Sequence, residues 1–531
     1  MPARYLCTAV GFRRSDLRIA KFVLIGIVAL AVASWLAVYL YGRFAAQARG
    51  PASYALPVAE RETPLDREIG PLTVDHPDES GLRLISDDID AFAVRAHAAR
   101  SAGRSLDLQY YYWRDDFTGG LLGREVLAAA DRGVRVRILL DDVNARGGND
   151  VYLAYDSHPN IEVRLFNPAL SRDSTLARGM DMALRIFTVT RRMHNKAWIA
   201  DGRLAIVGGR NIGDAYFGAS DTANFRDLDV SMVGPAVDQT ATIFDRFWNS
   251  PVVLPIRSLS DPERRELTRL RARLEQAASS EPAKLYLSRL KQGEEAAKAL
   301  VTGGATHWTA SAEVVSDPPE KVLDVGQQSW LNESIDPVIA SATTSLEITS
   351  PYFIPGDEGA SSLRRLVERG AEVKVLTNSL AATDVAAVHG AYAHYREGLL
   401  ESGIDLFELK AESRPGRISL FGSSNASLHT KAFTVDDRTG FIGSFNYDPR
   451  SIALNTEMGV LFRDADLAAE VRREFLTHSG PTHAYRLSIE GGALQWNGEP
   501  DQPPQHDEPG ASYWRRFVAT VTGLLPLESQ L

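Results

Sequence analysis

Apolar and polar positions along the chain repeat one order of elements in its two halves. Residues 105–112 alternate like a β-strand, residues 119–132 have helical spacing, and residues 134–140 alternate again. The same order returns later, at residues 345–353, 359–369 and 371–377. A strand, a helix and a second strand predict parallel β-strands joined by a helical crossover. Two copies predict an α/β fold with two similar halves.

The longest apolar run, Phe22–Gly42, has 21 residues and no charged side chain. A helix of this length spans the hydrocarbon core of a bilayer. Basic residues predominate before the run, in residues 1–21, so the N-terminus is expected to stay in the cytoplasm. The rest of the chain would then lie on the opposite side of the membrane. The alternative is a signal peptide cleaved near residues 46–48, but the apolar run is longer than a usual signal core.

These patterns predict an order of segments along the chain. The segments are a cytoplasmic N-terminus (1–21), a transmembrane helix or signal anchor (22–42), a linker (43–79), a first half (80–255), a helical linker (256–324), a second half (325–480) and a C-terminal region (481–531). Within the C-terminal region, residues 485–496 predict a hairpin that turns at Gly491 and Gly492. Residues 498–511 are rich in Pro, Gly and Asp and are expected to form a loose linker.

The final stretch, residues 512–531, has the spacing of an amphipathic helix. Its large apolar side chains recur on one helical face, at Trp514, Phe517, Val518, Val521 and Leu525. A helix of this kind, with tryptophan and arginine, can lie in a lipid interface. It can equally pack against the body of the protein, and the sequence supports both alternatives.

Composition and charge narrow the range of functions. Apolar residues make up 44% of the 531-residue chain and charged residues 24%, as in ordinary globular proteins. The net charge of −10 argues against a dedicated nucleic-acid binder, because such proteins usually have a basic balance. Cys7 is the only cysteine, so the chain cannot form an internal disulfide, and a thiolate metal site is not expected.

One set of chemically active residue types occurs twice at identical spacing. Each copy reads His-x-Lys-x4-Asp-x6-Gly-x2-Asn. The copies comprise His194, Lys196, Asp201, Gly208 and Asn211, and His429, Lys431, Asp436, Gly443 and Asn446. A single His-x-Lys-x4-Asp arises by chance roughly 0.01 times in a chain of this length, given average residue usage. Two copies with matching Gly and Asn therefore predict a functional site.

These residue types suit chemistry at a phosphodiester. Histidine can act near neutral pH as a nucleophile, an acid or a base. The lysines can neutralise the negative charge that develops on the phosphorus oxygens, and Asn211 and Asn446 can donate hydrogen bonds to it. One histidine would form a phosphohistidine, while the other protonates the leaving alcohol and then deprotonates the acceptor. Because the lysines supply the positive charge, neither a metal nor another cofactor is expected.

Acidic side chains near the motifs are candidates for supporting roles. Asp201 and Asp436 belong to the repeated motif and are counted among the catalytic candidates. Each sits where a strand turns, so a purely structural role is the alternative. Asp229 and Glu457 lie on the next predicted strand of each half and are the candidates for holding the histidine tautomers. The alternative for this pair is that they are ordinary strand acids.

The duplicated motif resembles that of the phospholipase D superfamily, the HKD enzymes. Flanking segments look like bacterial cardiolipin synthases of the C type, among them residues 106–111, 160–168, 350–356 and 376–385. The resemblance implies two pseudo-twofold-related halves, each a mixed sheet covered by helices, with the active site at their interface. It also implies that His194 is the nucleophile and His429 the acid and base, although the residues alone leave the reverse assignment open. The first copy departs from the second at Gly209, where the second has Ser444, and little effect is expected from the missing hydroxyl.

The resemblance also implies a function and a location. It implies an enzyme that transfers a phosphatidyl group to phosphatidylglycerol, with phosphatidylethanolamine as a candidate donor. The expected location is the bacterial inner membrane, with one N-terminal anchor and the catalytic body on the periplasmic side. Nucleic acid is not expected as a partner, and the sequence identifies no accessory protein. The alternatives are a phospholipase D that yields phosphatidic acid, an HKD nuclease, and an inactive membrane scaffold.

Overall fold

A computed structural model describes residues 14–58, 62–143, 149–169, 175–220, 223–259, 266–281, 283–288, 306–324, 329–411, 427–525 and 528–530. In this part of the chain, two nine-stranded mixed sheets and one two-stranded sheet form. Each large sheet is built mainly from the strands of one half. The predicted α/β fold with two similar halves is therefore confirmed.

The strands of the first sheet lie in an order that differs from their order in the chain. The strands of the first half and the segment after it are β1 (Ser80–Ile85), β2 (Ser105–Tyr110), β3 (Arg135–Asp141), β4 (Ile161–Phe166), β5 (Ala197–Ala200), β6 (Leu204–Gly208), β7 (Phe225–Arg226), β8 (Asp229–Val233), β9 (Val253–Pro255) and β10 (His307–Thr309). The order across the first sheet is β10-β1-β8-β6-β5-β2-β3-β4-β9.

The second sheet repeats the central part of this order. Its half of the chain contains β11 (Ala312–Ser316), β12 (Ser345–Thr349), β13 (Glu372–Asn378), β14 (Asp405–Leu409), β15 (Ser427–Leu428), β16 (Ala432–Val435), β17 (Thr439–Gly443), β18 (Met458–Arg463), β19 (Ala484–Glu490) and β20 (Ala493–Asn497). The order is β11-β18-β17-β16-β12-β13-β14-β19-β20, and β15 pairs with β7 in the two-stranded sheet.

The two sheets place their motifs equivalently. In the first sheet, β2, β3 and β4 are parallel neighbours, and β5 lies antiparallel to β2. In the second sheet, β12, β13 and β14 are parallel neighbours, and β16 lies antiparallel to β12. Each His-x-Lys motif immediately precedes the antiparallel strand, β5 or β16. Equivalent strand order therefore brings each motif to the same place in its own half.

Helices cover the sheets and connect their parallel strands. Phe117–Asp131 joins β2 to β3, and Gly356–Glu368 joins β12 to β13, as the sequence predicts. The side chain of Asp116 caps the first of these helices by accepting the N–H of Gly119. Further helices are Pro64–Thr73, Asp88–Ser101, Asn149–Asp156, Thr175–Leu184, Ile186–Val189, Pro235–Trp248, Leu267–Ala278, Leu331–Ala340, Ala386–Ala393, Arg396–Glu401, Pro449–Ala453, Ala465–Ser479 and Tyr513–Gly523.

An apolar core joins the two halves. Buried side chains from both halves contribute to it, including Met193 and Val230 from the first and Ile442 and Met458 from the second. Strand β6 packs against β18 at this interface. A side chain of this size contributes roughly 1.5–3 kcal/mol when it is fully buried. The core therefore fixes residues of one half against residues of the other, which is what the site requires.

The N-terminal helix runs from Arg14 to Ala48 and includes the predicted segment 22–42. Its portion Lys21–Ala48 is long and apolar enough to cross a membrane. Near its end, the guanidinium of Arg185 lies 3.8 Å from the ring centre of Tyr41, so the helix is in contact with the first half. The large apolar side chains between Phe22 and Leu40 are exposed. An apolar surface of this size outside the core is typical of a membrane-associated segment.

Two predicted boundaries differ from the structure. The linker predicted at residues 256–324 contains β10, which pairs with β1, and β11, which pairs with β18. The predicted C-terminal hairpin forms as β19 and β20 and turns at Gly491 and Gly492, which have positive φ. It pairs with β14 and so extends the second half beyond residue 480. β10 and β11 are edge strands of only three and five residues, so they show little periodicity and the sequence pattern does not separate them from a linker.

Candidate active site

A cavity of about 700 Å³ lies between the two halves. Motif residues from both halves line it, namely His194, Asn211, His429 and Asn446. The ring of Tyr111 lies 5.1 Å from that of His194, and the ring of Tyr216 lies 5.2 Å from that of His429, measured between centroids. Residues of both motif copies therefore line a single cavity.

His194 precedes β5 in the first half and is held by the second half. Its backbone N–H donates to the carbonyl of Thr456 at 2.8 Å. Its Nδ1 lies 2.8 Å from Oε2 of Glu457 and 3.1 Å from the carbonyl oxygen of Ser444. Glu457 is fully buried. A buried carboxylate at Nδ1 favours the tautomer that carries its proton there, and this leaves the lone pair on Nε2.

His429 repeats this arrangement with the halves exchanged. It follows β15, which pairs in parallel with β7 of the first half. Its backbone N–H donates to the carbonyl of Arg226 at 2.8 Å, and its Nδ1 lies 2.6 Å from Oδ2 of Asp227. Each histidine is thus bound at its backbone by one residue of the opposite half and at its ring by the next residue. The site is complete only when the two halves are packed together.

The histidine-orienting role predicted for Asp229 is wrong. Its carboxylate receives a hydrogen bond from Nη2 of Arg95 at 2.9 Å and lies 3.5 Å from Nη1 of Arg210. All three side chains are buried, so Asp229 belongs to an internal ion-pair cluster. The residue that contacts His429 is Asp227, which was not among the predicted site residues. The segment shows two acids two residues apart, and only the packing of the halves determines which of them reaches the histidine.

The structure places Asp201 and Asp436 outside the cavity, which contradicts their predicted catalytic role and supports the structural alternative. Both have left-handed backbone conformations, with φ of 54° and 51°, in the turns that follow β5 and β16. The carboxylate of Asp201 accepts the backbone N–H groups of Gly103, Arg104 and Ser105. That of Asp436 accepts those of Thr343, Thr344 and Ser345. Burial raises the pKa of Asp436, but these hydrogen bonds outweigh burial and hold it well below its usual range.

Lys196 and Lys431 are buried beside the histidines. Each ammonium group donates to the backbone carbonyl of the histidine in its own motif. Burial lowers the pKa of Lys196 to about 7 against the opposing charge of Glu457, and lowers the pKa of Lys431 to about 8 against that of Asp227. An anion placed beside the two lysines would favour their charged forms, so the pair is suited to bind a phosphate.

Both imidazoles have lowered pKa values. Burial lowers the pKa of His194 despite the opposing carboxylate of Glu457. Burial and the ammonium groups of Lys431 and Lys196 lower the pKa of His429 well below its usual value. Burial also raises the pKa of Asp227 to about 6. A neutral histidine with Nδ1 bound to a carboxylate is the form in which Nε2 can act as a nucleophile or a base.

Comparison with known proteins shows the family. The family described as "Cardiolipin synthase, PLD-like domain" matches residues 96–248 and 335–478, which contain both motifs. The chain belongs to this family. Cardiolipin synthase C of Escherichia coli is 39% identical over 471 residues, which cover 86% of this chain and 98% of that protein. A cardiolipin synthase of Staphylococcus aureus is 24% identical over 399 residues, 75% of this chain and 67% of that protein.

A solved structure shares the fold of this cardiolipin synthase family member. Phosphatidylserine synthase of Haemophilus influenzae superposes with a TM-score of 0.54 at 16% identity, over 80% of this chain and 92% of that one. The predicted pair of phospholipase D-like halves is thereby confirmed. Family membership also confirms the prediction of an enzyme that acts on phospholipids.

The two asparagines of this phospholipase D-like cavity differ in their hydrogen bonds. Nδ2 of Asn211 donates to the hydroxyl of Tyr216 at 3.1 Å, and that hydroxyl lies 3.4 Å from Nε2 of His429. Oδ1 of Asn446 is buried and has no hydrogen-bond partner. Leaving such an atom unpaired costs about 1–3 kcal/mol. Rotation of the amide exchanges its oxygen and nitrogen, so this position can offer a donor to a ligand oxygen in the cavity.

Outside the cavity, a group of described residues has the spacing of metal ligands, namely His389, Glu408 and Glu508. The guanidinium of Arg396 lies 3.0 Å from the carboxylate of Glu408 and 2.6 Å from that of Glu508. Because one cation already bridges both carboxylates and His389 lies 3.3 Å from that of Glu508, the group is best described as an ion-pair network. It ties the C-terminal region, through Glu508, to the second half.

Proposed function

We propose that this protein is a phosphatidyltransferase that moves a phosphatidyl group onto phosphatidylglycerol and forms cardiolipin through a phosphohistidine intermediate. The observation that carries the proposal is that one cavity holds two histidines, each paired with a carboxylate of the opposite half. Displacement at phosphorus needs a nucleophile on one side and a proton donor at the leaving oxygen on the other. The pairs His194–Glu457 and His429–Asp227 provide both functions.

In the first step, Nε2 of His194 attacks the phosphorus of the donor lipid. A P–N bond forms, and the P–O bond to the headgroup alcohol breaks. Glu457 accepts the Nδ1–H of His194 and stabilises the positive charge that the imidazole gains. Protonated His429 gives its proton to the leaving oxygen, so the alcohol departs neutral. With phosphatidylethanolamine as the proposed donor, the departing alcohol is ethanolamine.

In the second step, the same groups act in the reverse sense. Neutral His429 removes the proton from a hydroxyl of phosphatidylglycerol, and that oxygen attacks the phosphorus. The P–N bond breaks and returns the electron pair to His194, and His429 is again protonated for the next turnover. The two steps balance, because the proton given to the leaving alcohol is replaced by the proton taken from the acceptor.

The lysines and asparagines stabilise the charge on the phosphorus oxygens. Lys196 and Lys431, one from each half, each place an ammonium group beside the histidine of their own motif, and Asn211 and Asn446 line the cavity. A cation and an amide in a water-poor site stabilise developing negative charge more strongly than water does. The phosphate in turn favours the protonated forms of His429 and the lysines, whose pKa values are lowered in its absence.

Hydrolysis, in which the phosphatidyl group is transferred to water, is the second candidate function. A hydrolase would use the same catalytic residues. The two functions are distinguished by expressing the chain in a bacterium that lacks cardiolipin and analysing its lipids by mass spectrometry. We expect cardiolipin with the wild type and none with His194→Ala or His429→Ala. His506→Ala, which changes an exposed histidine, serves as the control and should leave the product unchanged. Phosphatidic acid without cardiolipin would favour hydrolysis, and cleavage of DNA or RNA by the purified protein would favour a nuclease.

We also propose the inner membrane as the location, with the N-terminus in the cytoplasm and the catalytic body on the periplasmic side. The basic residues before the apolar helix support this orientation. Cys7, the only cysteine, provides the test. A membrane-impermeant maleimide should label it only after spheroplasts are lysed. In a Cys7→Ser background, a cysteine replacing the exposed Ala493 should be labelled before lysis. Labelling of Cys7 in intact spheroplasts would show that the N-terminus lies on the periplasmic side, which is the opposite orientation.

A further inference from the structure

The C-terminal helix Tyr513–Gly523 packs on the second half through small residues. It lies across the helix Ala386–Ala393, where a Cβ on Gly390 would be 2.2 Å from the carbonyl oxygen of Ala519. A Cβ on Gly523 would be 2.9 Å from the carbonyl oxygen of Gly390. The two helices therefore approach closely because Gly390, Ala519 and Gly523 have little or no side chain. The alternative that this helix packs on the body of the protein is thus correct for one of its faces.

The large apolar side chains lie on the opposite face and are exposed. We call them the apolar stripe, and they are Tyr513, Trp514, Phe517, Val521, Leu524 and Leu525. At about 100° per residue they fall within an arc of about 120°, and Ala519 and Gly523 lie on the other side of the helix. Trp514 is 70% exposed, and its ring stacks on that of Phe517 at 5.5 Å. An amphipathic helix in a globular protein normally turns this face toward the core, so its orientation here points to an external partner.

The helix that carries the apolar stripe is held firmly in place. The Ser512 side chain caps it by accepting the N–H of Arg515. Nε of Arg515 donates to the carbonyl of Leu380 at 2.9 Å. Glu508, just before the helix, binds Arg396. The apolar stripe is therefore a fixed surface of the folded protein.

The apolar stripe adjoins the catalytic cavity. The helix Ala386–Ala393, on which the C-terminal helix packs, begins beside Val385 and contains Val388, and both valines line the cavity. Beyond the apolar stripe the chain returns to the cavity, where Gln530 lines it and accepts a hydrogen bond from Arg450 at 3.2 Å. The apolar stripe is thus connected to the cavity through the helix Ala386–Ala393 and through Gln530.

We propose that the apolar stripe inserts into the surface of a phospholipid bilayer and places the opening of the catalytic cavity at the level of the lipid headgroups. The inference rests on the proposed function, because a lipid transferase must take diacyl substrates out of a bilayer. Tryptophan and tyrosine beside aliphatic side chains are typical of the membrane interface. The same chain carries an exposed apolar helix, Lys21–Ala48, that can cross the membrane. A bilayer therefore lies within reach of this protein, and the apolar stripe is a second contact with it.

The direct test measures how deeply the apolar stripe enters the bilayer. In the full chain with Cys7→Ser, Phe517→Cys is labelled with an environment-sensitive fluorophore and reconstituted into phosphatidylglycerol-containing nanodiscs. We expect blue-shifted emission and quenching by nitroxides on the upper acyl chain, about 5–10 Å below the headgroups. A label at Ala493→Cys, on the hairpin, should show neither effect. Quenching of the Phe517→Cys label by aqueous iodide alone would overturn the inference. A blue shift without lipid quenching would also overturn it, since it would mean a protein partner or a second copy of this chain.

An activity measurement provides the second test. The double variant Trp514→Ser and Phe517→Ser leaves the packed face of the helix unchanged. We expect transfer from bilayer lipids to fall about tenfold, because the apolar area that would enter the bilayer is lost. Transfer from a short-chain lipid in monomeric solution should be unchanged, as should both activities of Leu476→Ser, which alters an exposed leucine on another helix. Equal activity of the double variant and wild type on bilayers would contradict the inference. If the wild type transfers no lipid at all, the proposed function fails, whereas the depth measurement still decides the inference.

Discussion

Gly209 and Asp227 share one tight space beside His429. A Cβ on Gly209 would lie 2.1 Å from Oδ1 of Asp227, closer than non-bonded atoms can approach. The equivalent position in the second half is Ser444, whose hydroxyl donates to Glu457. Glycine therefore accompanies the shorter acid in the first half, and serine accompanies the longer acid in the second. The difference between Gly209 and Ser444 thus concerns the position of each carboxylate. The sequence comparison alone indicates only that one hydroxyl is missing.

Gly209→Ala should impair catalysis through Asp227. The added methyl group forces the carboxylate away from Nδ1 of His429, which weakens the acid and base function of that ring. We expect kcat to fall about 10- to 100-fold with little change in KM. The control is Gly120→Ala, since a Cβ there meets only ordinary contact with Leu274, at 3.6 Å. Steady-state kinetics on phospholipid vesicles provide the measurement, and a Gly209→Ala variant as active as Gly120→Ala would contradict the prediction.

Asp227→Asn should lower activity, whereas Asp229→Asn should lower stability. Loss of the charge at Asp227 removes the partner of His429, so kcat should fall by about 10³- to 10⁴-fold with the fold retained. Loss of the charge at Asp229 leaves the buried guanidinium groups of Arg95 and Arg210 without their shared carboxylate. That change should cost about 3–5 kcal/mol of unfolding free energy. Thermal unfolding and kinetics on the same preparations separate the two effects. If Asp229→Asn proved inactive but fully stable, the assignment of the two acids would have to be exchanged.

Above neutral pH, activity should fall and stability should rise as the pH increases. In the free enzyme, Lys196 and Lys431 lose their protons as the pH rises through about 7 and about 8. The phosphate then loses its cations, so kcat/KM should fall over this range. Because the folded-state pKa values of these lysines lie below their unfolded values, deprotonation removes a cost of burial and favours the folded state as the pH rises. A pH profile of kcat/KM, with unfolding temperatures at each pH, checks the prediction. A kcat/KM that stays constant up to about pH 9 would contradict it.

Asp436→Asn should affect folding and leave the chemistry unchanged. The carboxylate holds backbone N–H groups of Thr344 and Ser345 at the start of β12, so its loss should cost about 1–2 kcal/mol. The folded-state pKa of Asp436 is lowered, so its stabilising effect is present above about pH 4 and is lost as the pH falls through that lowered value. The neighbouring exposed Asp437→Asn is the control and should change stability by about 0.5 kcal/mol or less. A large fall in kcat for a folded Asp436→Asn variant would show that Asp436 has a catalytic role.

Much of the fold follows from the sequence because it depends on local patterns. The parallel strands and their crossover helices have clear periodicity, and the duplicated motif marks His194 and His429 directly. The partner acids depend on tertiary packing, because each histidine is held by the half to which it does not belong. Glu457, just before β18, has no other acid close to it in the sequence. Asp227 and Asp229 are two residues apart, and only the interface between the halves determines which of them contacts the histidine. The sequence also shows an amphipathic C-terminal helix, but which face of that helix is packed depends on its contact with Gly390 of another helix.

Trapping the covalent intermediate is the most direct measurement of phosphatidyl transfer through His194. A phosphatidyl ester with a p-nitrophenol leaving group needs no proton donor, so His429→Ala should still complete the first step but not the second. We expect a burst of p-nitrophenol equal to the enzyme present, and a phosphatidyl adduct that mass spectrometry locates on the peptide containing His194. His194→Ala should give neither the burst nor the adduct. A burst from His194→Ala, or an adduct on any other residue, would show that His194 is not the nucleophile.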